Sequence, residues 1–161
     1  MMMNHREFRS LLARGLADDG YALDWTTLGT LGASARTKKK SAQIVAKAAG
    51  VFFGGELARA AAAESEAVGF PFSAKILVED GEKVRAGQKV AEWRGTAAGI
   101  LILERPYLNL AAYLSGIATR TRGYVDRVEA EWKKNRSTGA APRVTSTRKI
   151  LPHYRDGAIA A

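Results

Sequence analysis

Two places in the 161-residue chain set cations where they could act on a ligand. Thr147-Arg148-Lys149 follows the β-prone run Arg143-Val144-Thr145-Ser146, with Pro152 close behind. Neighbouring residues on a strand point to opposite faces, so both cations can reach one ligand only where the strand opens into a loop. Pro152 marks such an ending, and a ligand-facing strand end is a feature of α/β folds. Glu104-Arg105-Pro106-Tyr107-Leu108-Asn109 sets another arginine at what reads as a helix start. Arginine recognises planar carboxylates through paired hydrogen bonds, and lysine acts as a point charge. The chemistry on offer is recognition of carboxylates and phosphates. By spacing alone, both sites also read as solvated surface, with Arg105 as half of a plain salt bridge.

Other chemistries lack their residues. His5 and His153 are the only histidines and lie far apart, so no metal-ligand set is expected. Cysteine is absent, which removes thiolate nucleophiles, disulfides and thiolate zinc sites. Ser115 precedes Gly116 without the flanking glycine of a nucleophile elbow. Neither glycine-rich phosphate-loop pattern occurs. The net charge of +9 attracts anions. Its two basic runs, Lys38-Lys39-Lys40 and the series from Lys133 to Lys149, are not interleaved with aromatics as single-strand nucleic-acid surfaces are. Small anionic substrates are therefore expected, not nucleic acid, and Lys38 to Lys40 are read as a solvated loop. No apolar run suggests a membrane span, and the start lacks a signal-peptide pattern, so a cytoplasmic protein is expected.

These residues need elements to hold them. Phe8, Leu11, Leu12 and Leu16 follow a helical period that Gly20 ends. Residues 29–41 read as a loop, 42–48 as a strand, and 56–64 as an alanine-rich helix. Between Val68 and Arg94, the turns Asp80-Gly81 and Ala86-Gly87 separate short strands of a small antiparallel unit. That unit shares an Asp-Gly turn with biotinyl and lipoyl carriers but lacks their modified lysine context. After Gly95 the chain reads as helical for a long way. Pro106 is placed near the helix start, Tyr107, Leu110, Ala111 and Leu114 form one stripe, and Gly116 interrupts it. Tyr124, Val125, Val128 and Trp132 form a second stripe. A composition boundary falls near 99–104.

Several segments, in order, resemble the quinolinate phosphoribosyltransferase family. Asp19-Gly20 and Asp24-Trp25-Thr26-Thr27 resemble its early acidic and Asp-x-Thr-Thr stretch, although Leu23 stands where the family has glycine. Gly50-Val51-Phe52-Phe53-Gly54-Gly55 resembles its strand-turn, and Asp80-Gly81 with Gly87 its β turn. Glu104 to Asn109, Leu114-Ser115-Gly116-Ile117-Ala118-Thr119 and Thr121 resemble its most distinctive block. Thr147-Arg148-Lys149, Pro152 and Arg155 resemble its strand end, with Ile150 for threonine and His153 for glycine.

The resemblance implies an α/β protein. An α+β N-terminal open sandwich over 1–103 would be followed by the first helices and first strand of an α/β barrel over 104–161. It implies a phosphoribosyltransferase that joins quinolinate to phosphoribosyl pyrophosphate with Mg²⁺. The products would be nicotinate mononucleotide, pyrophosphate and carbon dioxide, in NAD biosynthesis. Arg105, Thr147, Arg148 and Lys149 would bind the substrates, with Arg105 acting in the neighbouring subunit of a homodimer. The family pattern continues past Arg155 through further histidine, arginine, lysine and acidic residues. The catalytic lysine and acids are therefore expected beyond Ala161, and the chain is read as an N-terminal portion, inactive by itself. A molybdenum-associated paralogue and a non-catalytic dimerisation or binding module are the alternatives.

Overall fold

The computed structural model describes residues 4–20, 25–135, 138–147 and 154–161. Helix α1 (His5–Asp18) starts on a reciprocal cap: the Glu7 N–H donates to Asn4 Oδ1 at 3.1 Å, and the Asn4 N–H donates to Glu7 Oε2 at 2.7 Å. Such a cap stabilises a helix by about 1 kcal/mol. The helix buries Phe8, Leu11, Leu12 and Leu16, the stripe expected from their spacing. It packs on α4 (Gly55–Ala67), where Ala58, Ala60 and Ala61 are small enough for close approach and fully buried.

The main sheet is antiparallel, with β5 (Lys89–Thr96) between β1 (Lys39–Val45) and β3 (Phe72–Ile76). Alternation gives it two faces. Trp93, Phe72 and Ile76 point toward the helices, while Arg94, Ser73 and Lys75 are exposed on the other face. Trp93 stacks on Phe72 at 4.4 Å and meets Tyr107 edge-on at 4.9 Å, the centre of the core. A second ladder pairs β2 (Gly50–Val51) with β4 (Lys83–Val84). The mixture of helices and open antiparallel sheets is the α+β sandwich expected from the sequence.

Helix α5 (Ala97–Lys134) has 38 residues and runs about 57 Å at 1.5 Å per residue. Its entry is tight: a Cβ at Gly99 would lie 1.8 Å from the Phe70 carbonyl oxygen, so only glycine fits there. The boundary expected between 103 and 104 falls inside this continuous helix.

Five expectations are corrected. Pro106 is the tenth residue of α5 and not near its start, and Gly116 does not interrupt it. Pro106 is buried against α1, with Gly15 opposite, and this packing offsets the missing backbone bond. Residues 29–41 are not one loop: α2 (Trp25–Thr30) and α3 (Ala33–Arg36) occupy part, and Lys39 and Lys40 already pair with Thr96 and Gly95. Lysines suit an edge strand, where they discourage pairing with other chains. The strand expected at 42–48 ends at Val45, after a register shift. Residues 143–147 form no strand, and the barrel strand expected there is not seen. β propensity makes a strand only where a partner completes the ladder, and no described strand pairs with this segment.

Candidate functional site

Arg105 is the ninth residue of α5, not its opening one. Its side chain is 70 % exposed, and Nη1 lies 3.3 Å from Asp19 Oδ1. The sequence suggested Glu104 or another carboxylate as a structural partner. Glu104 lies one position away on the helix and lines a different surface, and Asp19 takes the contact. That surface is a groove of about 650 Å³ between β1 and α5, floored by Ala42, Ile44, Trp93 and Tyr107. Leu101 and Leu108, four residues before and three after Arg105, remain exposed along it, and Lys40 and Lys47 stand at its rim. Arg105 thus sits beside an uncovered apolar surface.

Thr147 is described and exposed. Arg148 and Lys149 lie outside the described residues. Among the described residues, no group of three or more histidine or acidic side chains could hold a metal ion. Among them, no helix is long and apolar enough to cross a membrane.

The distinctive Leu114-to-Thr119 block has a structural account that the sequence did not reveal. The Val51 N–H donates to Thr119 Oγ1 at 2.8 Å, and the Thr119 hydroxyl donates back to the Val51 carbonyl at 3.4 Å. Ser115 does the same at Phe53, at 2.9 and 3.2 Å. Hydroxyls one helical turn apart are separated by about 6 Å along the axis, and alternate residues of an extended chain by about 6.6 Å. The two repeats match, so α5 serves β2 and Phe53 as a neighbouring strand would. Hydroxyl residues four apart beside an apolar stripe were the available signal.

The segment after Phe53 is held just as closely. Asp80 Oδ1 accepts from the Gly54 and Gly55 N–H groups at 2.6 and 2.7 Å, and Oδ2 from the Glu56 N–H at 3.3 Å. The carboxylate caps α4, where its charge also suits the helix dipole. The Tyr107 hydroxyl donates to the Gly54 carbonyl at 3.3 Å. Burial pushes the Tyr107 phenol above its ordinary value of 10, and the Asp80 charge adds to this.

This frame, with an exposed arginine on its rim, is an α+β domain. Residues 24–115 match the family described as Quinolinate phosphoribosyl transferase, N-terminal domain, and the chain belongs to that family. Among its relatives is the nicotinate-nucleotide pyrophosphorylase [carboxylating] of Mycobacterium leprae, 32 % identical over 158 residues that cover 96 % of this chain and 51 % of the relative. The probable enzyme of that name from Bacillus subtilis is 31 % identical over 158 residues, covering 95 % and 47 %. The fold matches the nicotinate-nucleotide pyrophosphorylase structure from Francisella tularensis with a TM-score of 0.78 at 22 % identity, over 98 % of this chain and 51 % of that one. The chain spans about half the length of the curated relatives it matches.

Proposed function

We propose that this chain is the substrate-capping part of a cytoplasmic phosphoribosyltransferase that converts quinolinate and phosphoribosyl pyrophosphate to nicotinate mononucleotide, pyrophosphate and carbon dioxide. The observation that carries this reading is Arg105, a guanidinium presented to solvent on a rigid helix. Quinolinate carries two carboxylates, and a planar fork suits one of them. Arg148 and Lys149 would supply further positive charge for the second carboxylate and the phosphates, and Thr147 a hydrogen bond. Mg²⁺ would enter with the pyrophosphate and screen its charge. In this reading the chain's own part is to bind and orient the substrates. Catalysis would rest on orientation and on stabilising charge at the ribosyl centre and during decarboxylation.

The protein acts as a homodimer in this reading, with Arg105 reaching the neighbour's site. The apolar groove alongside Arg105 supports this, because such a surface gains stability when another chain covers it. The test is turnover of quinolinate and phosphoribosyl pyrophosphate by the protein expressed from its native locus, followed by release of labelled carbon dioxide. Release that requires both substrates and falls about ten- to hundredfold in kcat/KM with Arg105→Ala is expected, since a charge-assisted contact contributes about 1.5–3 kcal/mol. Retained quinolinate binding without turnover would instead support the non-catalytic module.

A further inference from the structure

Helix α1 ends in an arrangement that its own sequence leaves unbalanced. Asp18 is its last residue and Asp19 its C-cap, and the last turn has no basic residue. Two carboxylates therefore stand at the helix end whose carbonyls already carry partial negative charge. The compensating cation comes from Arg105, 86 residues away in sequence.

Their meeting is set by a helix crossing. Gly15 faces Pro106 so closely that a Cβ on the glycine would lie 3.4 Å from the proline Cβ. Asp19 is one turn beyond Gly15 on the same side of α1, and Arg105 directly precedes Pro106. The crossing thus delivers a carboxylate to one end of the guanidinium. Asp19 engages Nη1, and no other partner is recorded for Arg105 among the described residues. Both side chains stay open to solvent, at 70 % for Arg105 and 34 % for Asp19. A guanidinium has five N–H donors, so the edge formed by Nε and Nη2 remains for a second, bidentate carboxylate.

From this geometry we infer that Asp19 is a positioning residue for substrate binding: it restrains the Arg105 guanidinium so that its unpaired edge meets a substrate carboxylate already oriented. The inference rests on the reading that Arg105 binds that carboxylate. Restraint by Asp19 lowers the ordering cost of a long side chain in the ground state and the transition state alike. Its loss therefore raises KM and leaves kcat nearly constant.

The experiment is a mutant cycle in the protein expressed from its native locus, with steady-state kinetics against quinolinate and a melting curve for each variant. Asp19→Asn should raise the quinolinate KM by about three- to tenfold, with kcat within about twofold. Asp19→Glu, which keeps the charge, should recover most of that loss, and it carries the test if Asp19→Asn fails to fold. In an Arg105→Ala background, Asp19→Asn should change KM no further. A quinolinate KM unmoved by Asp19→Asn, while Arg105→Ala is strongly impaired, overturns the positioning role and leaves the capping reading intact. An Asp19→Asn effect that persists without Arg105 also overturns it, because Asp19 then acts elsewhere. If Arg105→Ala itself has no kinetic effect, the capping reading fails, and the positioning role with it.

Discussion

Tyr107 brings a hydroxyl into the centre of an apolar core, where it stacks edge-on against Trp93 and donates to the Gly54 carbonyl. Its phenol is held above the ordinary value of 10 because a buried tyrosinate would lose hydration beside the Asp80 charge. The unfolded chain, by contrast, releases that proton near pH 10. Stability from this group is therefore complete below pH 10 and is lost as pH rises toward the folded-state value. Tyr107→Phe should destabilise the protein at pH 8 by about 0.5–1.5 kcal/mol, the contribution of one hydrogen bond. Urea denaturation of both proteins at pH 8 and pH 11 checks this. The difference between them should shrink or reverse at pH 11, since phenylalanine has no proton to lose.

At the scale of elements, α5 does most of the organising. Its stretch from Ala98 to Thr119 supplies buried core residues, the hydroxyls that hold β2 and Phe53, and Arg105. Gly116 lies on its exposed side with nothing within 4 Å of where a Cβ would be. Glycine inside a helix costs about 1 kcal/mol relative to alanine. Gly116→Ala should therefore raise the unfolding free energy of this chain by about 0.5–1 kcal/mol in chemical denaturation. A loss of stability would show that another surface packs against the glycine.

Much of this organisation was legible in the sequence. The α1 stripe follows from Phe8, Leu11, Leu12 and Leu16, and the two Gly turns separate the strands as expected. What misled were residues whose local preference is overruled by packing. Pro106 reads as a helix start, yet burial against α1 keeps the helix going. Residues 143–147 read as a strand from their β-branched side chains, but a strand needs a partner. The site was legible only in part. Arg105 and Asp19 each stand in a motif read from the sequence, but their pairing was not legible, because no local rule connects residues 86 apart.

Across the whole molecule, Arg105 and the Arg148-Lys149 pair would serve the same ligand from different subunits. Arg105→Ala and Arg148→Ala proteins should each be weak alone. In a mixed dimer one site receives both defects and the other receives neither, so about one unimpaired site per mixed dimer should return. Co-expression with distinct affinity tags, followed by kinetics on the doubly purified species, measures this. If mixed dimers form and no activity returns, Arg105 serves its own subunit. Lys38→Ala is the companion control, and it should alter the quinolinate KM by less than about twofold because an exposed charge remote from the ligand contributes little.

The helix that links these sites has one more property. No residue of α5 after Ala118 is buried, although the helix continues to Lys134. The sandwich therefore grips only one end of a single unbroken rod. Each residue added to such a rod advances its far end by 1.5 Å and turns it by about 100°. Whatever the far end carries is thus set in phase with Arg105 by residue count alone. A one-residue insertion after Thr119 would leave the sandwich core untouched yet aim the far end nearly at a right angle. Arg105 and the direction in which the chain leaves α5 at Lys134 are geared together, and changes of loop length outside the helix do not alter that phase.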